Sequence, residues 1–372
     1  MYLNNAATTY PKPKVVLDAV KNSLVALPFE NSRSNLDSED IIIRCKTLLA
    51  EFIGADSADE IFFTSGATES ANLIIHGLDL KNSHVIVSST EHNAVLRPLY
   101  NHFVKPVISQ AVCGDSGEVI VQEIERLIQP NTRVIFLSHC SGVTGYVQDI
   151  ESIGKLAHER GIIFVVDASQ SIGCIDIDVL KMNIDILIFT GHKNLFGLAG
   201  IGGMYIKRDV PVVVVKTGGT GYDSDLIKLP KNYRNFEPGT PNFIGITSLM
   251  SGLMYLESVG IVNIERYVKS VRRAVLTRLN KLKNVTLYNK DTEKLSGPVV
   301  SLNIDGLSPT DVGYILRETY GIIVRTGLHC CPVIHKNLST PHGTVRMSYS
   351  LITPKKDIEA FVNAIEQLSV AI

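Results

Sequence analysis

Between residues 60 and 207, short β-branched apolar runs recur at 61–63, 85–88, 134–137, 162–166, 184–189 and 203–206, with segments of helical periodicity between them. That alternation is the pattern of βαβ units and predicts a mostly parallel sheet buried on both faces, within a layered α/β core from about residue 60 to 210. One of the intervening helices is explicit: Ile150, Ile153, Leu156 and Ala157 form an apolar stripe that Gly161 ends before the next strand. Past residue 210 the pattern loosens into Thr217-Gly218-Gly219-Thr220-Gly221 and a polar stretch up to Asn242, expected as an active-site or interface loop. Helices are expected at 246–259 and 264–282. From about residue 285, strands at 299–304, 322–325 and 344–348 alternate with helices at 308–319 and 355–368, which suggests a smaller C-terminal α/β unit. The chain carries no internal repeat and no low-complexity segment.

The polar residues that end these strands carry the candidate chemistry. The run 184–189 leads into Thr190-Gly191-His192-Lys193, which places an amine at the mouth of a sheet, able to capture a carbonyl cofactor. A lone lysine there reads equally as a solvated loop residue. The neighbouring run ends in Asp167-Ala168-Ser169-Gln170, a carboxylate where a pyridinium nitrogen would need a counter-charge. Phe63-Thr64-Ser65-Gly66-Ala67-Thr68-Glu69 leaves the first strand and opens a helix near Thr68. Its unpaired N–H groups suit a phosphate, the alternative being an ordinary cap with Thr68 as the capping residue. It lacks the spacing of a P-loop or a dinucleotide fingerprint. His92, in Ser89-Thr90-Glu91-His92-Asn93, follows the second strand and could stack on an aromatic ring; His139, after the third, is open to the same two readings, ligand or solvated loop.

A fourth group is Arg325-Thr326-Gly327-Leu328-His329-Cys330-Cys331-Pro332, followed by Gly343-Thr344-Val345-Arg346. A thiol beside His329 and near Arg325 has cationic surroundings that favour a thiolate, against the ordinary fate of a buried cysteine. Arg346 suits a bidentate pair with a substrate carboxylate, against a structural ion pair. The spacing of His329, Cys330, Cys331 and His335 fits no zinc template, so no metal is expected.

Bulk properties narrow the class. The 372 residues suffice for two domains or one large α/β domain with an appendage. With 36 Lys plus Arg, 37 Asp plus Glu and a net charge of −1, there is no block of like charge to suggest nucleic acid or a membrane surface. No apolar run approaches the roughly 18 residues of a membrane span, and the first residues do not resemble a secretory signal, so a cytoplasmic location is expected. The six cysteines have no paired framework and are expected to be free thiols.

Taken in order, these segments resemble the class V aminotransferase family, and within it the cysteine desulfurases and selenocysteine lyases. The resemblance runs from Tyr2-Leu3-Asn4-Asn5-Ala6-Ala7-Thr8-Thr9 to Gly343-Thr344-Val345-Arg346. It implies the fold of type I pyridoxal 5'-phosphate enzymes: a homodimer with a large cofactor-binding domain at 16–255 and a small domain of 1–15 plus 256–372. Lys193 then matches the Schiff-base lysine, Asp167 the partner of the pyridine nitrogen, Gln170 the donor to the ring hydroxyl, and His92 the residue stacked on the ring. Ala67, Thr68, Thr190 and His192 match phosphate-binding positions, and Thr240 the phosphate ligand given by the neighbouring subunit. Arg346, with Arg325 nearby, matches the substrate-carboxylate site, and Cys330 the persulfide-forming cysteine.

The reaction so implied turns L-cysteine into L-alanine, leaves a persulfide on Cys330 and passes its sulfur to an acceptor protein. Other readings are a selenocysteine lyase, a C–S β-lyase, an aminotransferase or an epimerase, and a non-catalytic sulfur-relay scaffold. Two segments depart from the family pattern. Ser141-Gly142-Val143 stands where relatives commonly carry an asparagine at the middle position, and Asn31-Ser32-Arg33-Ser34-Asn35-Leu36-Asp37 replaces a glycine-rich, histidine-containing segment. Both are expected on the substrate side.

Overall fold

In the computed structural model, residues 1–25, 40–219, 225–230 and 234–370 are described; the 31–37 segment, and Thr220 and Gly221 of the Gly-rich loop, lie outside them. The six apolar runs become strands β1 (Ile61–Thr64), β2 (His84–Ser88), β4 (Thr132–Ser138), β5 (Ile163–Asp167), β6 (Ile186–Thr190) and β7 (Gly202–Ile206). β3 (Val107–Ala111) joins them at one edge, giving the order β1-β7-β6-β5-β4-β2-β3. Strands β3, β2, β4, β5 and β6 are mutually parallel, while β7 runs antiparallel to both β6 and β1. β1 and β6 therefore point the same way, and the chain leaves β1, β2, β4, β5 and β6 at one edge.

Sheet burial explains why these runs are continuous rather than alternating in polarity. Ile135, Leu137, Phe164, Val166, Leu187 and Phe189 face one core, and Val134, Phe136, Ile163, Val165, Ile186 and Ile188 face the other. Each such burial is worth about 1.5–3 kcal/mol. The first face is covered by α2 (Ile41–Ile53), α6 (Ile150–Glu159) and α7 (Phe243–Val259), the second by α3 (Ala67–Gly77) and α4 (Asn93–Tyr100). α1 (Lys14–Val25) packs on α7, and α5 (Val121–Leu127) lies beside α6 and β3. Local signals bound the helices: the Asp40 side chain accepts from the Ile42 N–H at 2.8 Å, and Gly54 ends α2 in the left-handed conformation.

A second sheet, β10-β11-β9-β8, is wholly antiparallel and is built from β8 (Val285–Tyr288), β9 (Val299–Ile304), β10 (Arg325–Gly327) and β11 (Thr344–Ser348). α8 (Ile261–Leu279), α9 (Pro309–Tyr320) and α11 (Lys355–Val370) pack against it, and α10 (Ile334–Asn337) sits in the connection to β11. The N-terminal residues bridge Tyr2 to Ile323 and Asn4 to Ser348, so the chain start is laid along this sheet. Residues 15–16 and 255–256, expected as domain boundaries, fall inside α1 and α7.

Some expected bounds move, for local reasons. The strand expected at 322–325 splits its partners: Ile323 pairs with the N-terminal segment, and pairing with β11 begins only at Arg325. α7 starts at Phe243 because the Asn242 side chain caps it by accepting from the Gly245 N–H at 3.0 Å. α8 starts at Ile261 rather than residue 264, because Gly260 serves as the C-cap of α7 and the N-cap of α8.

α7 also supports the turn that carries Lys193. A Cβ on Gly252 would lie 2.0 Å from the Leu195 carbonyl oxygen, so helix and turn touch backbone to side-chain-free backbone. Gly252→Ala is expected to cost about 3 kcal/mol through this overpacking, read as a lower urea midpoint; an unchanged midpoint would show that the approach is not tight.

Candidate active site

The shared strand edge opens into a cavity of about 350 Å³. The ends of β1, β2, β4, β5 and β6 supply Gly66, His92, Gly142, Asp167 and Lys193 to its wall, and β10 and β11 supply Arg325 and Arg346. Ten of the residues expected to bind cofactor or substrate therefore meet here: Ala67, Thr68, His92, Asp167, Gln170, Thr190, His192, Lys193, Arg325 and Arg346.

Lys193 follows β6 on a tight turn in which Gly197 donates to the Gly191 carbonyl at 2.8 Å and Phe196 to the Lys193 carbonyl at 3.0 Å. Burial lowers the pKa of its amine, opposed by the charge of Asp167, so the amine is more readily neutral than a surface lysine. Asp167 ends β5, with one carboxylate oxygen accepting from the Ser169 N–H at 2.8 Å. The Asn194 side chain donates to the Gln170 carbonyl at 2.9 Å and so ties the two turns together.

α3 begins at Ala67, with Gly66 as its N-cap at φ +151° and no side chain capping it. Thr68 is thus a first-turn residue and not the cap. The uncapped N-terminus faces the cavity beside Thr190, whose hydroxyl oxygen would lie 3.5 Å from a Cβ on Gly66. His192 adds a buried Nδ1 with no partner. Uncapped N–H groups, two hydroxyls and an imidazole form a donor set for a phosphate.

His92 caps α4 through Nδ1, which accepts from the Ala94 N–H at 3.0 Å, leaving the proton on Nε2. Burial and then the neighbouring Lys193 charge lower its pKa, so the ring is neutral. His139 lies outside the cavity wall, fully buried behind β4, and its backbone N–H donates to the Asp167 carbonyl at 3.0 Å.

Arg325 and Arg346 are directly opposed in the β10–β11 register, an unfavourable pairing of like charges unless an anion lies between them. Arg346 is 1% exposed; its Nη1 donates to the Gly142 carbonyl at 2.6 Å, while Nε and Nη2 are buried without partners among the described residues. Burial and the nearby Arg325 lower its pKa to about 10. These two free donors are the shape of a carboxylate site.

The two adjacent cysteines part company. Cys331 is buried and lines the main cavity, whereas Cys330 is half-buried and lines a neighbouring groove with His92, Asn93 and Arg97. Arg325 bridges the two spaces, its Nη2 donating to the Cys330 sulfur at 2.9 Å. Thr240 is exposed and lies in another hollow with Ser65, Glu69 and Lys216, so a single chain does not bring it to the other phosphate-binding candidates. His335 stands outside the cavity, its ring 5.9 Å from that of His329. Among the described residues, no three or more metal-capable side chains gather.

Several wall residues carried no signal in the strand pattern. Ala6 and Ala7 enter from the N-terminal segment, and the Ala6 carbonyl accepts from the Gln170 side chain at 3.0 Å. Ser138 enters from the end of β4, a small residue with no charge to mark it. Glu91 lies fully buried beneath the site, accepting at 2.6 Å from both the Ser88 hydroxyl and the Ser138 N–H, and burial pushes its pKa up to about 8.

Comparison with known proteins gives the family. The sequence pattern of the family described as aminotransferase class-V matches residues 1–361. A probable cysteine desulfurase of Pyrococcus abyssi is 34% identical over 87% of this chain and 82% of its own. One from Methanothermobacter thermautotrophicus is 31% identical over 99% and 94%. The apo structure of a cysteine desulfurase from Thermococcus onnurineus superposes with a TM-score of 0.89 at 30% identity, covering 100% of this chain and 95% of that one. The Escherichia coli cysteine desulfurase in its S-sulfonic acid form gives 0.84 at 25%, covering 100% and 94%.

The buried imidazoles set a pH dependence. Burial lowers His139 and His192 to about 4, whereas an unfolded histidine takes up its proton near 6.5. Between those values the unfolded chain binds more protons, so stability rises as pH goes from 4 to 6.5 and is lost on acidification through that window. Glu91, raised to about 8, works the other way above pH 4.5, one carboxyl against the imidazoles. Urea midpoints at pH 4.5, 5.5 and 6.5 should increase in that order, and a flat series would contradict the assignment.

Proposed function

The chain belongs to the class-V aminotransferase family, and from that premise we propose that it converts L-cysteine to L-alanine and holds the sulfur as a persulfide on Cys330. The observation that carries this reading is the meeting, in one cavity, of the Lys193 amine, the Asp167 carboxylate and the half-unpartnered Arg346 guanidinium, with the Cys330 thiol in the adjoining groove in contact with Arg325. Pyridoxal 5'-phosphate, the coenzyme of this family, supplies when bound an aldehyde for an amine and a ring that draws electrons from the substrate carbon.

The residues present fit that group. Lys193 Nζ is the amine for the aldehyde, Asp167 holds a proton at the ring nitrogen, and His92 offers a neutral ring face. Gln170 serves the ring hydroxyl, and the N-terminus of α3 with Ala67, Thr68, Thr190 and His192 takes the phosphate. The orphaned His192 Nδ1 and the uncapped helix start favour this assignment, since neither has a partner among the described residues.

Arg346 binds the substrate carboxylate through Nε and Nη2 and so fixes the amino acid in place. Lys193 moves a proton to and from the substrate carbon; burial lowers its pKa, which leaves the amine more readily neutral and able to accept that proton. The Cys330 sulfur then attacks the substrate sulfur: a sulfur–sulfur bond forms, the carbon–sulfur bond breaks with its electron pair going to carbon, and alanine leaves. For this step the Cys330 turn moves from the groove toward the cavity. A second copy of the chain completes the phosphate site with Thr240, the sulfur passes to an acceptor protein, and the enzyme works in the cytoplasm. Among the described residues, no single helix is long and apolar enough to cross a membrane.

Gly142 supports a second reading, because it removes a side chain beside the carboxylate donors and leaves room for a related amino acid or for C–S elimination. Product analysis separates the two. Protein loaded with the coenzyme is expected to yield alanine from L-cysteine, and pyruvate with ammonia would favour elimination instead. Lys193→Ala should lose the visible absorbance of the bound coenzyme and at least about a hundredfold in rate. Cys330→Ala should keep the absorbance and form no persulfide, and alanine release at the wild-type rate in that variant would remove Cys330 from the reaction.

A further inference from the structure

The vicinal thiols are set to different tasks. Cys330 points to the outer groove and contacts Arg325, and Cys331 lines the inner cavity. Their separation depends on backbone that L residues adopt at a cost: His329 has φ +52° and Cys330 φ +62°, two left-handed residues in a row. The turn is held from both sides, by the Asn93 N–H donating to the Cys330 carbonyl at 2.8 Å and by the Cys331 N–H donating to the Leu328 carbonyl at 2.9 Å. Gly142 stands beside the inner thiol, where an added Cβ would make ordinary van der Waals contact with the Cys331 sulfur at 3.8 Å.

We propose that Cys331 is a resolving thiol that discharges the Cys330 persulfide as sulfide when no acceptor takes it, closing a Cys330–Cys331 disulfide. The inference rests on the persulfide reading above and adds an activity to it: release of sulfide, once per chain and repeated only when a reductant reopens the disulfide. The step balances without an outside oxidant. Cys331 gives up its proton and its sulfur attacks the inner sulfur of the persulfide, the Cys330 Sγ. The bond from that Sγ to the outer sulfur breaks, and the outer sulfur leaves with the electron pair and the proton as hydrogen sulfide. The outer sulfur is reduced and the Cys331 sulfur is oxidised by the same amount, while the Cys330 sulfur keeps the oxidation state it had in the persulfide.

Two features make the discharge slower than delivery. Burial pushes the Cys331 thiol up to about 12, so little of it is thiolate at neutral pH, and only the thiolate attacks. The strained turn must also rotate to bring the sulfurs together. The product resets easily: consecutive Cα atoms lie about 3.8 Å apart, shorter than the usual disulfide span of about 4.4–6.8 Å, and strained disulfides are readily reduced.

The test uses holoenzyme reduced and freed of thiol, then given either L-cysteine or inorganic tetrasulfide, the latter loading Cys330 without the lyase step. Intact mass and peptide mapping are the readouts. In both arms wild-type protein should end lighter by two hydrogens, with Cys330 joined to Cys331, and should release about one sulfide per chain with cysteine. Cys331→Ser and Cys331→Ala should instead retain one added sulfur on Cys330. If wild type and both variants keep the added sulfur alike after tetrasulfide, the resolving role is overturned. A disulfide from tetrasulfide but no alanine from cysteine would uphold Cys331 and defeat the desulfurase reading alone.

Discussion

The parallel pairing of β2, β4, β5 and β6 is the constraint on which the rest depends. Parallel strands deliver their C-terminal ends to one edge, so a carboxylate after β5 and an amine after β6 become neighbours whatever the connections between them. The antiparallel insertion of β7 preserves this for β1, because two reversals restore its direction. Gly66 and the start of α3 thereby reach the same edge. The apolar strands have no chemistry of their own; burial on both faces fixes their register, and register fixes which polar residue emerges first.

That edge concentrates charge in a place poor in water. Lys193, Arg325 and Arg346 face a cavity whose lining carboxyls are Asp167 and Glu69, the latter paired with Lys216 at 2.8 Å, and burial holds Glu91 beneath it protonated at neutral pH. Burial also draws down the pKa of Lys193 and Arg346, so the protein opposes its own excess of positive charge. A phosphate at the α3 N-terminus and a carboxylate at Arg346 would supply the missing anions. Neutral His92 fits the same economy of charge, since a protonated ring beside Lys193 would add repulsion without a partner.

Much of this was legible in the residues. Lys193, Asp167, His92 and the Gly66 turn could be placed because each follows a run whose period and length mark it as a buried strand, and the structure gathers them at one edge. The less visible parts have physical reasons. β3 is half-exposed, with polar Ser109 and Gln110 inside it, so its pattern is weak. The 322–325 run is shared between two partners, and no local period reveals which residues pair with the chain start. Cys330 and Cys331 look alike in sequence; only the left-handed turn separates an outward thiol from a buried one. Gly142 acts through its carbonyl, which no residue type encodes.

The first ten residues show how a site split between two sheets is held to one geometry. Ser348, at the end of β11, accepts at its carbonyl from the Asn5 backbone and side chain and at its hydroxyl from the Ala6 N–H. The Ala6 carbonyl then accepts from Gln170, and Thr9 donates to the His192 and Lys193 carbonyls. The same short segment thus spans from the strand that carries Arg346 to the turns that carry Asp167 and Lys193. Side chains must stay within a fraction of an ångström for oriented chemistry, and two sheets joined only through apolar packing could slide by more than that. Directional hydrogen bonds from one strap resist such sliding, which explains why a stretch of small and polar residues, with Leu3 as its fully buried anchor, occupies the seam between amine and guanidinium.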